Sequence, residues 1–283
     1  MSLSINLSNA AALAAQDSAF GNANASASLP LSAALDTSSV ESVDNAPALT
    51  VTLVDPKDHT RLDKYLKALG APLKMGVDAS NIANAMVPLM QSVIQQRPDL
   101  ANAQFDFKAD NGAITVTSQS MSVADKSWLQ GTLNGDIALT SAVRAFHDDA
   151  VEGYATWADA DGNPLSSSET EAVSKQADGL TSFMSLFRNI GSLAQSSMMT
   201  GGTYHTSSGA KVDFSQDPGS ASGLLKFMQG VQAATYGTVS FTTSSGRTTY
   251  GVMRGNIFEM NSTAMPQFFP PSDTRSIGID ETV

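Results

Sequence analysis

The sequence predicts an α+β fold, mainly helical, in which short antiparallel β-hairpins join a helical body and a disordered N-terminal leader precedes it. Three observations carry that expectation. Apolar residues recur at spacings of three and four in several long stretches, and short alternating segments flank turn residues at Asp110-Asn111-Gly112 and in two Thr-Ser-Ser-Gly runs. Residues 1–45 are rich in Ser, Ala and Asn, with no Lys or Arg. Such a segment holds too little large apolar surface to offset the entropy of ordering. The expected organisation is a leader over 1–45, a helical α+β body over 46–199, a hairpin-helix-hairpin region over 200–265 and a flexible tail over 266–283.

After the leader, Leu49–Val54 alternates as a strand and Asp55-Pro56 ends it. Thr60 and Asp63 then cap a helix expected to hold Leu62, Tyr65, Leu66 and Leu69 inside, with Gly70 as its stop. Ile82, Met86, Leu89 and Val93 continue at helical spacing, and Pro88 within the run predicts a kink or a fresh start near Val87.

The clearest instructions lie between Phe105 and Trp157. Phe105 and Phe107, the turn at Asn111-Gly112, and Ile114 and Val116 make a hairpin. Ser122, with Asp125 three positions on, resembles a capping box opening a helix through Val123, Trp128, Leu129 and Leu133. Leu139, Val143, Phe146, Ala150, Tyr154 and Trp157 form one apolar face of a long helix, with Arg144, Asp148 and Glu152 opposite. A lone hairpin is marginal in water, so this helix is expected to pack across it.

A turn-rich loop leads to a cap at Ser168 or a neighbour and then to one long helix over Glu171–Met199. Its stripe of Val173, Ala177, Leu180, Met184 and Phe187 is widened by Phe183, Leu186, Ile190 and Leu193. A face that broad predicts contacts on two sides, in a two-layer core or against another chain. A protein partner or self-association through the 183–193 face is therefore expected. The segments beginning at Tyr204 and Phe241 echo each other as two small hairpins, and Leu224, Phe227, Met228 and Val231 mark the helix between them.

Composition narrows the function. A net charge of −11 with only 16 scattered Lys and Arg argues against general nucleic-acid binding. The absence of cysteine excludes disulfides, thiolate nucleophiles and cysteine-ligated metals. No apolar run approaches the ~20 residues needed to span a bilayer. The N-terminus lacks the charged start and continuous apolar segment of a Sec signal.

The first residues are similar to the N-terminus of bacterial flagellins on Ser4, Ile5, Asn6 and the Ala- and Leu-rich run from Ala10 to Gln16. In that family the segment belongs to what the flagellar type III apparatus exports. The likeness ends at Gln16, where the Arg- and Ser-rich continuation is missing, and no matching C-terminal helix follows. More loosely, the leader resembles the Ser-rich unfolded leaders of type III secretion substrates, and the resemblance implies export without a Sec signal.

Four stretches invite a chemical reading. Asp159, Asp161 and Asn163 sit at positions one, three and five of a calcium loop, with Glu169 nearby. Pro164 then stands where the loop needs glycine and Thr170 where it needs a bidentate Glu, so a plain turn accounts for the same residues. His147 with Asp148, Asp149 and Glu152 is the densest ionisable cluster, with Asp148 and Glu152 on a solvated face. Tyr204, His205, Ser207 and Ser208 lack a nucleophile elbow. Gly201-Gly202, Gly246-Arg247 and the 251–255 segment lack the spacing of a phosphate loop.

No catalytic, cofactor or metal residue is therefore assigned. The expected function is that of a non-enzymatic bacterial protein, exported without a Sec signal, secreted or held at the cell surface and acting through protein–protein contacts. The alternative is an intracellular enzyme or small-molecule-binding protein whose site is assembled around His147 or His205.

Overall fold

The computed structural model describes residues 56–198, 203–206, 208–236, 238–243, 245–252, 257–260 and 264–270. The leader over 1–45 and the strand expected at Leu49–Val54 lie outside the described residues, as does most of the 266–283 tail. In chain order the described elements begin with helix α1 (Pro56–Leu69) and helix α2 (Ala71–Gln96), then strands β1 (Asp106–Asp110) and β2 (Ala113–Thr117). Helices α3 (Val123–Gly135), α4 (Ile137–Ala160), α5 (Ser167–Ala177) and α6 (Phe183–Met198) follow. The last third holds β3 (Thr203–Thr206), β4 (Lys211–Val212), α7 (Ala221–Tyr236), β5 (Thr238–Thr242), β6 (Thr248–Val252) and the short α8 (Ile257–Met260). The α+β class and its mainly helical character follow directly from this order.

The hairpin forms as the sequence dictates. Asn111 and Gly112 both take positive φ, 46° and 76°, which is what a two-residue turn matching the strand twist requires. Phe107 pairs with Val116 and Ala109 with Ile114, which puts all four side chains on one buried face. Helix α3 closes the outer edge of β2. The Asn134 side chain accepts from Ile114 N at 2.8 Å and donates to Ile114 O at 2.7 Å, while Gln130 accepts from Val116 N at 3.0 Å. An open strand edge is thus satisfied by two amide side chains. The cap of α3 is Ser122, whose hydroxyl accepts from Asp125 N at 3.1 Å.

Several expectations need correction or refinement. Helix α4 does pack on both strands of the hairpin, as expected, but it lies chiefly along α2 and shares the hairpin with α3 and α6. Of the two outcomes expected at Pro88, a fresh start does not occur: helix α2 runs on through Pro88, which sits on the exposed side, while the buried residues Ile82, Met86, Met90 and Val93 hold the inner side to the core. The single helix expected over 171–199 is two helices. Gly179 takes φ 68° and donates its N–H to Ala109 O at 2.8 Å, so the chain turns there and ties the helix break to the hairpin. Helix α5 starts at a full capping box of Ser166 with Glu169, two residues before Ser168.

A further correction concerns α1. Tyr65 and Ala68 face inward, whereas Leu62, Leu66 and Leu69 are 40%, 56% and 44% exposed. The inward face is chosen by the end of α4. The Tyr65 ring meets Trp157 edge-on at 6.1 Å, its hydroxyl donates to Asp161, and Lys64 pairs with Asp159 at 2.9 Å.

Helix α6 is the pillar of the core. Phe183 stacks on Phe107 at 5.1 Å and receives Phe146 edge-on at 5.1 Å, and Phe187 meets Phe258 at 6.0 Å. Phe183, Met184, Leu186, Phe187 and Ile190 are all buried within this chain. The broad 183–193 face is therefore consumed by a two-sided core, and only Leu193 at its end is exposed. The start of α6 is capped from a distance by Asp106 on β1, which accepts from Met184 N at 3.0 Å, Ser185 N at 3.2 Å and Ser185 Oγ at 2.6 Å.

The two echoing segments do form hairpins, and they join into one antiparallel sheet of order β4-β3-β5-β6. Their turns are built alike. Thr206 N donates to Ala210 O and Thr243 N to Arg247 O, both at 2.9 Å, and Gly209 and Gly246 take φ 82° and 80°. Tyr204 and Phe241, equivalent positions in the two segments, are direct cross-strand partners with rings 5.0 Å apart. The likeness in sequence is thus expressed as a local twofold between β3 and β5.

Candidate functional site

The ionisable groups that gather most tightly lie on the seam between α2 and α4. Lys74 and Asp78 are one turn apart on α2, and Asp149 and Glu152 face them from α4. Lys74 Nζ sits 2.5 Å from Asp149 and 3.2 Å from Glu152. Those two acceptors raise the Lys74 pKa. Asp78 is only 7% exposed, and its Oδ2 has no hydrogen-bond donor. Its neighbour is the Asp149 carboxylate, and two carboxylates can hydrogen-bond only when one carries the proton. Burial first, and then the bond to Asp149, push the Asp78 carboxyl up to about 7.

Beside this pair opens a cavity of about 270 Å³ lined in part by Lys67, Gly70, Lys74, Asp149, Glu152 and Thr156. Its back wall is tight. A Cβ added at Gly153 would come within 2.7 Å of both the Ala71 side chain and the Phe269 ring. The Asp149 carboxylate and the Lys74 ammonium stand at the edge of this cavity, and the buried Asp78 carboxyl neighbours Asp149 without lining it.

His147 occupies a second place, where α4 meets the end of α5. Its Nδ1 lies 3.0 Å from Asp148 Oδ1, and its Nε2 lies 3.0 Å from Ser174 O and 3.7 Å from Asp178 Oδ1. Burial alone would lower the imidazole pKa. The Asp148 hydrogen bond, the Ser174 carbonyl and the Asp178 charge outweigh it and leave the pKa raised. Asp178 in turn accepts from Asn111 N at 2.9 Å, so the ring belongs to a bridge between α4, α5 and the hairpin turn. A cavity of about 210 Å³ lies alongside, bordered by Arg144, His147, Asp148 and Asp178.

Of the cluster read from the sequence, His147 pairs with Asp148, Asp149 turns to Lys74 and Asp78, and Glu152 pairs with Lys74 while still bordering, with His147 and Asp148, an open cavity between α4 and α5. The calcium-like residues are engaged elsewhere: Asp159 by Lys64, Asp161 by Tyr65, and Glu169 by the Ser166 cap. His205 bonds to Thr203 Oγ1 at 3.1 Å and Gly209 O at 3.3 Å, and Ser208 bonds to Thr206, so the imidazole is not engaged with Ser208. Ser207 and Gly201-Gly202 lie outside the described residues. Nor do three His, Asp or Glu side chains converge as metal ligands among the described residues.

Asp78 was missed by the sequence reading. A signal was present, since Asp78 lies three residues after Met75 and four before Ile82, inside an apolar stripe where an acid is out of place. No described helix is long and apolar enough to cross a membrane. Comparison of the chain with protein-family models, with curated proteins and with solved structures finds no match.

Proposed function

We propose that this chain is a non-enzymatic bacterial protein, exported without a Sec signal, that acts through protein–protein contacts, with the outer side of α1 as its contact face. The observation that carries this reading is the row of Leu62, Leu66 and Leu69. The three share one side of α1 at 40%, 56% and 44% exposure, while Tyr65 and Ala68 on the other side are already buried. A helix seated on its own core with a second, leucine-lined side in solvent has the pattern of a groove-binding anchor. The export half of the reading rests on the Ser-, Ala- and Asn-rich leader and the lack of a Sec signal in the sequence.

A photo-reactive benzoylphenylalanine at position 66 tests the contact face in cells. It is expected to give one dominant protein adduct, which the purified partner or a second copy of this chain reproduces and which disappears when Leu62 and Leu69 are also changed to Ser. The same probe at Val123, itself 80% exposed but without neighbouring leucines on its helix face, serves as control. Equal and diffuse labelling from both positions would refute the assignment of the face.

The second reading, a small-molecule-binding protein centred on His147, draws on the cavity beside that ring. Saturable protection of His147 from carbethoxylation by a metabolite pool would favour it.

A further inference from the structure

We propose that the Asp78–Asp149 carboxyl pair is a proton-operated latch between α2 and α4: one shared proton holds the seam closed, and its loss puts two negative charges in the seam and loosens it. Burial and geometry support this behaviour. Asp78 is 7% exposed on α2 with no partner for its Oδ2, and Asp149, which reaches Lys74 of α2 from α4 at 2.5 Å, is its hydrogen-bonding neighbour. Placing an ionised carboxylate there without a partner is costly, and opening the seam to water relieves it.

Among the described residues, few charged groups stand around the pair. Lys74 comes from the same helix and Asp149 and Glu152 come from α4, while Lys67 of α1 borders the adjoining cavity. The stretch 264–270, which packs on Gly153 and Tyr154 through Phe269 and Phe268, contributes no charge. Lys74 does not neutralise both acids, because its ammonium is already drawn to Asp149 and Glu152 and is itself 56% exposed. The cavity of about 270 Å³ borders Asp149 and gives water a path to that member of the pair once the helices part.

The sign follows from linkage. Asp78 binds its proton more tightly in the closed seam than in the open one, so its stabilising contribution is complete below the ordinary carboxyl range and is lost as pH rises toward about 7. Opening is therefore expected to increase by roughly tenfold per pH unit between pH 5 and 7 and to level off above that range.

Amide hydrogen exchange along residues 75–86 and 146–153, corrected for the intrinsic pH dependence, reads this directly in the full chain. Wild type is expected to show the rise and plateau. Asp78→Asn, which keeps the shape and a donor toward Asp149, is expected to be flat over the same range, and His147→Gln is expected to keep the wild-type slope. Retention of the slope in Asp78→Asn, or its loss in His147→Gln, would overturn the proposal. An NMR titration of carboxyl carbons in wild type is independent of any variant. One carboxyl with a midpoint near 7 is expected, and a set titrating entirely below pH 5 would also overturn it.

Discussion

Phe183→Ala is expected to destabilise the protein by about 3–5 kcal/mol, read as a shift of the urea midpoint with the slope unchanged. Phe183 is 1% exposed, lies between Phe107 of the hairpin and Phe146 of α4, and adjoins Phe187 on its own helix. Removing the ring leaves a hole where three elements meet, and none of the three can close it alone. β1 is pinned to β2, α4 is pinned along α2, and the start of α6 is fixed by Asp106. A site that cannot collapse falls at the costly end of the range. Phe183→Leu, which refills part of the volume, is expected to recover more than half of the loss. A cost below about 1 kcal/mol for the alanine variant would mean that α6 does not organise this core.

The second large effect comes from adding an atom. Gly191 lies on the side of α6 that meets α7 and the turn after β4, where a Cβ would overlap the Phe214 carbonyl oxygen and press on the Phe227 ring at 2.8 Å. Phe214 O is backbone and the Phe227 ring is fully buried, so neither can yield without moving an element. Gly191→Ala is expected to cost about 3 kcal/mol or more despite the better helix propensity of alanine. Gly131 in α3 is also helical, but nothing stands within 4 Å of its added Cβ. There the same substitution is expected to stabilise by about 0.5–1 kcal/mol. Thermal unfolding of the two variants side by side separates close packing from propensity, since only packing reverses the sign.

Local features of the fold were legible from local sequence. The Asn111-Gly112 turn, the Ser122 cap and the apolar face from Leu139 to Ala150 each depend on residues within a few positions, and each forms as read. Orientation was not legible where a distant partner decides it. An amphipathic helix with leucines on one side and Tyr65 and Ala68 on the other has two plausible inner faces. The choice between them is made by Asp159 and Asp161, more than 90 residues away.

The break at Gly179 had a sequence signal in Asp178-Gly179, but the stripe on either side keeps its period and conceals it. In the same way the cap of α6 is supplied by Asp106, 78 residues earlier, so nothing near Phe183 announces it. The α2–α4 seam was half legible. Asp149 and Glu152 stood out as charges, whereas Asp78 was hidden because the helix around it was read only from Ile82 onward.

Export directed by residues 1–45 is tested most directly by partitioning the protein between culture supernatant and cells in its native host, with and without those residues. Export through the leader predicts that the full chain accumulates outside the cells and that the shortened chain, folded and at equal abundance, stays within them. An unchanged distribution after removal of the leader would contradict it.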